Sequence, residues 1–131
     1  MTKLKGYKDL IVWQKSLQLV VDTYMVVGKF PKEELYSLTS QLKRCSVSVP
    51  SNIAEGWARG TDKQFVQFLN VARCSLAELE TQIEIAKLLN FINAEDYKKI
   101  TTSTDEIGRM INSLVKVVKQ RNKVNTKGEK E

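Results

Sequence analysis

Val49-Pro50-Ser51-Asn52-Ile53-Ala54-Glu55-Gly56 sets a proline, an Asn/Glu pair and a glycine inside a stretch whose apolar spacing is otherwise helical. In a helix interior Pro50 removes one backbone hydrogen bond, and its ring meets the carbonyl of Ser46, at a cost of about 3 kcal/mol. Ser46, Ser51 and Asn52 carry side chains that can satisfy loosened backbone groups, so the octet predicts a kinked but continuous helix. Asn52 and Gly56 fall on the continuation of an apolar seam formed by Leu38, Leu42, Cys45 and Val49. A buried Asn needs partners, and Glu55, one turn away, is the expected one. Gly56 admits close approach of a neighbouring helix. Asn52 and Glu55 together read as a structural polar cluster fixing helix register, in preference to a reactive site at the kink.

Outward from the octet, four segments place apolar residues at alternating steps of three and four, the repeat of helices packed at a shallow angle. The first is Leu10, Trp13, Leu17, Val20, Tyr24 and Val27; the second is Leu35, Leu38, Leu42, Cys45 and Val49. The third is Phe65, Leu69, Ala72, Leu76, Leu79, Ile83 and Ala86, and the fourth Tyr97, Ile100, Thr104, Ile107, Ile111, Leu114 and Val118. The punctuation fits this period. Gly28 suits a left-handed cap on the first helix, Pro31 the first turn of the second, and Gly60 its end. Thr61 with Gln64 reads as a capping box for the third helix, and Asn93, followed by Glu95 and Asp96, as the cap of the fourth. Joints at 28–32, 60–61 and 90–93 are short enough to make neighbours antiparallel. The fold expected is all-α: an up-down-up-down, left-handed four-helix bundle over residues 1–123, with the second helix kinked at Pro50 and a disordered basic tail over 124–131.

The chain of 131 residues is one ordinary domain, with no secretory leader and no apolar run long enough to span a bilayer, so a cytoplasmic location away from membranes is expected. Cys45 and Cys74 offer neither a disulfide framework nor metal-ligand spacing, and both are expected as buried free thiols. With no histidine, the commonest general base and metal ligand is missing. No Gly-rich phosphate loop, Ser or Cys nucleophile with a base, or two-metal carboxylate cluster stands out. A non-enzyme without metal or cofactor is therefore expected.

The octet, with Gln41-Leu42-Lys43-Arg44 before it and Ser75-Leu76-Ala77-Glu78-Leu79-Glu80-Thr81-Gln82 after it, resembles the four-helix-bundle proteins encoded in intervening sequences of bacterial large-subunit ribosomal RNA genes. The resemblance covers about Tyr7 to Ile92. It implies a left-handed bundle able to form homopentameric rings. It further implies similarity to accessory proteins of reverse transcriptases in diversity-generating retroelements, whose basic ring surface contacts nucleic acid. The resemblance carries no catalytic residues. The matching basic positions here are Lys43, Arg44, Arg59, Lys63 and Arg73.

Charge and apolar surplus point the same way. The net charge of +6 is concentrated at the ends, since residues 1–8 hold three lysines and no acid, and residues 116–131 hold six basic residues against Glu129 and Glu131. Antiparallel helices gather Lys3, Lys5 and Lys8 near Arg59, Lys63, Lys116, Lys119, Arg121 and Lys123 at one pole, while Lys43, Arg44 and Arg73 form a second patch on the wall. Repeated around a ring, such surfaces would bind RNA or DNA through phosphates. Trp57, near the basic pole, is a candidate for stacking on a base, though such an aromatic is more often packing. The first helix carries Ile11, Val12, Leu19 and Val26 off its seam, a surplus that suggests burial against another protomer, unless it is only a wide core stripe. Residues 41–73 balance at +3 and 74–106 at −4, as two complementary patches on one subunit require. The function expected is a non-enzymatic, oligomeric nucleic-acid-binding accessory protein. The alternative is an interaction scaffold for a polypeptide partner such as a polymerase or reverse transcriptase.

Overall fold

The computed structural model describes residues 5–130, with side chains described for 5–121. Its described elements are four helices and no strand: α1 (Ile11–Val27), α2 (Leu38–Ala58), α3 (Asp62–Leu88) and α4 (Ala94–Lys130). A 3-10 turn at Tyr7–Asp9 precedes α1, and another at Lys32–Glu34 precedes α2. α1 touches α2 and α4, α3 touches α2 and α4, and among the described residues no close backbone approach crosses the diagonals, as in a four-helix bundle closed around one core. Of the tail expected over 124–131, the backbone of 124–130 belongs to α4, and Glu131 lies outside the described residues.

Three of the four seams are those read from the sequence. All seven residues of the third are buried, and α4 buries Ile100, Thr104, Ile107, Ile111 and Val118. On α2, Leu42, Cys45 and Val49 are buried, while Leu35 lies ahead of the helix and is exposed. α1 is rotated relative to expectation. Leu10 and Val27 of the expected seam are buried at its two ends, but between them Val12, Ser16, Leu19, Thr23 and Val26 face the core, whereas Leu17 and Tyr24 face outward with Val21 and Met25. Burial of the two hydroxyls is tolerated because each is satisfied within its own helix: Ser16 Oγ donates to the Trp13 carbonyl and Thr23 Oγ1 to that of Leu19, each at 2.7 Å.

The helix ends follow their chemistry with two corrections. Gly28 has φ −61°, so it continues the right-handed turn rather than capping it in the left-handed region. Pro31 introduces the 3-10 turn, and α2 begins only at Leu38, where the Glu34 carboxylate accepts from the Leu38 N–H at 3.4 Å and from the Ser37 hydroxyl. Gly60 takes φ +85° after α2, the Thr61 hydroxyl accepts from the Gln64 N–H at 3.2 Å, and the Asn93 side chain accepts from the Asp96 N–H at 2.7 Å. Asn90, at φ 61°, closes α3 with Phe91 N–H on the Ala86 carbonyl, at the start of the joint expected over 90–93.

Candidate nucleic-acid interface

α2 runs uninterrupted through the buried Pro50. Asn52 Nδ2 donates to the Ser48 carbonyl at 2.7 Å and to the Ser48 hydroxyl at 2.9 Å, and that hydroxyl in turn meets Ser75 Oγ on α3 at 2.8 Å. Glu55 looks elsewhere, pairing with Arg59 at 2.9 Å. The expected cluster is thus two separate arrangements. An acceptor one turn back on its own helix serves the half-buried Asn52, while the exposed Glu55 takes the cation nearest to it. Gly56 is required by proximity: a Cβ there would lie 2.6 Å from Phe68 Cβ and 3.2 Å from Phe65 Cδ1.

Farther along the α2–α3 seam the buried Cys45 thiol donates to Glu78 Oε2 at 3.2 Å and accepts from Gln82 Nε2 at 3.5 Å. Burial, reinforced by the Glu78 carboxylate, pushes the thiol up to about 11. It stays protonated at neutral pH and is a poor nucleophile. Cys74 is exposed, contrary to the expectation that both thiols are buried. Among the described residues no group of three or more Cys, Asp or Glu side chains is placed to hold a metal ion. No described helix is long and apolar enough to cross a membrane.

The basic residues expected to bind nucleic acid separate into compensated and uncompensated sets. Arg59 is held by Glu55 and stacks 5.0 Å from the Phe68 ring. Arg121 grips Asp62 with two hydrogen bonds, of 2.6 and 3.1 Å. Lys63 and Lys119 share a hollow of about 200 Å³ with that same Asp62. Lys116 is exposed. On the wall, Lys43 lies 5.0 Å from the Tyr24 ring and shares with Arg44 an open groove of about 610 Å³ between α1 and α2. Tyr24, Leu35, Tyr36 and Val47 complete its apolar lining, and no carboxylate lines it. Arg73 does not join them, since its guanidinium turns to Asn112 on α4 at 3.4 Å.

Between α3 and α4 lies a groove of the opposite sign, lined by Glu80, Glu84 and Asp105 with Tyr97 and Thr101. The Tyr97 hydroxyl donates to Glu84, which raises its pKa. Trp57 is half-buried and packs edge-on to Phe65 at 5.7 Å. The exposed aromatics beside cations are instead Tyr24 and Tyr36. Sequence reasoning put Tyr24 in the core and passed over Tyr36, which lies two residues before the start of α2.

Residues 8–113, which include the Pro50 octet and the basic groove, match the family model described as 23S rRNA-intervening sequence protein. The chain belongs to that family. A crystal structure from Bacteroides thetaiotaomicron, described as a protein with unknown function from the S23 ribosomal protein family, is similar at 25% identity. The TM-score is 0.73, covering 81% of this chain and 99% of that one. No curated protein matches. None of these names assigns a reaction or a ligand to the 23S rRNA-intervening sequence family.

Proposed function

We propose that this member of the 23S rRNA-intervening sequence family is a non-enzymatic, oligomeric nucleic-acid-binding accessory protein that holds RNA or DNA by its phosphates. In this reading the frame is an up-down-up-down, left-handed bundle with α2 kinked at Pro50. Supporting contacts include Lys15 to Glu106 at 2.7 Å, Asp22 to Lys99 at 3.4 Å and Lys29 to Asp96 at 2.9 Å, in which rising numbers on α1 meet falling numbers on α4. The observation that carries the reading is the groove holding Lys43 and Arg44 without a lining carboxylate. A phosphate gains most from a cation not already neutralised, which favours this wall over a pole where Arg59 and Arg121 are ion-paired.

The test is fluorescence anisotropy of the purified full chain with labelled RNA and DNA, without any partner protein, over a salt series. Binding that falls steeply with salt and discriminates poorly among sequences is expected. Lys43→Glu with Arg44→Glu should lower the salt slope by about 2, as removal of two phosphate contacts does, and Arg59→Glu with Lys63→Glu should do less. Absence of binding at low salt overturns the proposal. A second reading, a scaffold for a polypeptide partner such as a polymerase or reverse transcriptase, is favoured by one observation: the outward apolar stripe of Leu17, Val21, Tyr24 and Met25 on α1.

A further inference from the structure

We propose that the α1–α2 groove is a stacking site for an unpaired base of a single-stranded nucleic acid, with Tyr36 as its platform and Lys43 and Arg44 on the flanking phosphates. This rests on the nucleic-acid-binding reading above and names the form of nucleic acid that the groove selects. Tyr36 sits in the turn between the Lys32–Glu34 segment and α2, and 92% of its surface is exposed. An aromatic ring left so open, with apolar faces in water, gains from a flat partner. A base in a duplex is already stacked and offers only its edges, whereas an unpaired base offers a whole face.

The surroundings favour a polyanion. Arg44 and Lys43 line the same groove as Tyr36, and Lys43 already leans on the neighbouring Tyr24 ring at 5.0 Å, so cation and aromatic face occur within one site. The nearest acid in sequence, Glu34, is engaged by the Ser37 hydroxyl and the Leu38 N–H at the start of α2. At about 610 Å³ the groove is within the range of sites that take molecules of nucleotide size. The first residues of the chain do not suit it by charge, since Lys3 and Lys5 repeat the sign of the groove.

The experiment compares single-stranded oligouridylate and oligothymidylate with a duplex of equal length, titrated against wild-type, Tyr36→Leu, Tyr36→Phe and Arg44→Glu full-length chains, with native mass spectra of each. Because Tyr36 supports nothing in the fold, its variants should fold as wild type. Tyr36→Leu should weaken single-strand binding by about tenfold, the scale of losing one stacked base, and leave duplex binding unchanged. Tyr36→Phe should retain the single-strand affinity, and Arg44→Glu should weaken both forms. If Tyr36→Leu lowers neither while Arg44→Glu lowers both, phosphate binding stands and the stacking site is overturned. If neither form binds wild type, the functional reading fails with it. If Tyr36→Leu changes the subunit number, the groove is an interface between protein copies and the proposal is overturned.

Discussion

Gly56 shows how tightly a single residue can be prescribed. With Phe68 Cβ 2.6 Å from where its own Cβ would be, an added methyl meets an atom fixed to the α3 backbone, which no rotamer change can move aside. Alanine is the better helix former by about 1 kcal/mol, but forcing α2 and α3 apart costs more. Gly56→Ala should therefore destabilise the fold by about 1–3 kcal/mol, read as a lower urea midpoint with unchanged slope. A midpoint at or above wild type would show that α3 yields at this contact. Asn52 is prescribed less strictly, because its needs are met by Ser48 on its own helix, with Ser75 on α3 relayed through that hydroxyl.

α1 is the element whose role depends most on its neighbours. It is apolar on two sides, and burial of Ser16 and Thr23 decides which side is inward. The rotation separates residues that the sequence presents as equivalent: Leu19 is 1% exposed and Met25 71% exposed. Lysine at position 19 places a charge in the core, at a penalty on the order of several kcal/mol, whereas lysine at 25 reaches water. Circular dichroism melts should show Leu19→Lys unfolded or strongly destabilised and Met25→Lys close to wild type. Similar melting of the two variants would contradict this phase of the helix.

At the scale of the whole molecule the bundle is electrically polarised across its waist. The Lys43–Arg44 groove lies between α1 and α2, and the groove of Glu80, Glu84 and Asp105 between α3 and α4, on the opposite side of a closed square. The nucleic-acid reading needs the Lys43–Arg44 groove open in any assembly, so a ring has to close through other surfaces of the subunit. The outward stripe of α1 supplies the apolar surface that Val12, Leu19 and Val26 do not, because those three are in the core. Native mass spectrometry of wild type should give a closed oligomer, five subunits being the number the resemblance implies. Val21→Lys with Met25→Lys should dissociate it without loss of helix. A wild-type chain that is monomeric at micromolar concentration overturns the assembly.

Much of this was legible before any coordinates. Apolar spacing alone gives the helical class and the inward faces of α2, α3 and α4, because a strong one-sided period leaves only one way to bury the apolar side chains. Gly60, Thr61 and Asn93 mark their helix ends through interactions made within a few residues, which a sequence displays directly. Even the need for small Gly56 on the seam could be read from its period. What the sequence left open are choices between nearly equal local options. The phase of α1 is settled by which face α2 and α4 cover. The partners of Asn52 and Glu55 follow from which acceptors and cations the packed helices bring within reach. Tyr24 joins Tyr36, Lys43 and Arg44 in one groove because α1 packs beside the start of α2, and Arg73 turns instead to Asn112 on α4. Local patterns determine which elements form and where they end, while the distances that make a site arise between residues far apart in the chain, and only the packed helices fix them.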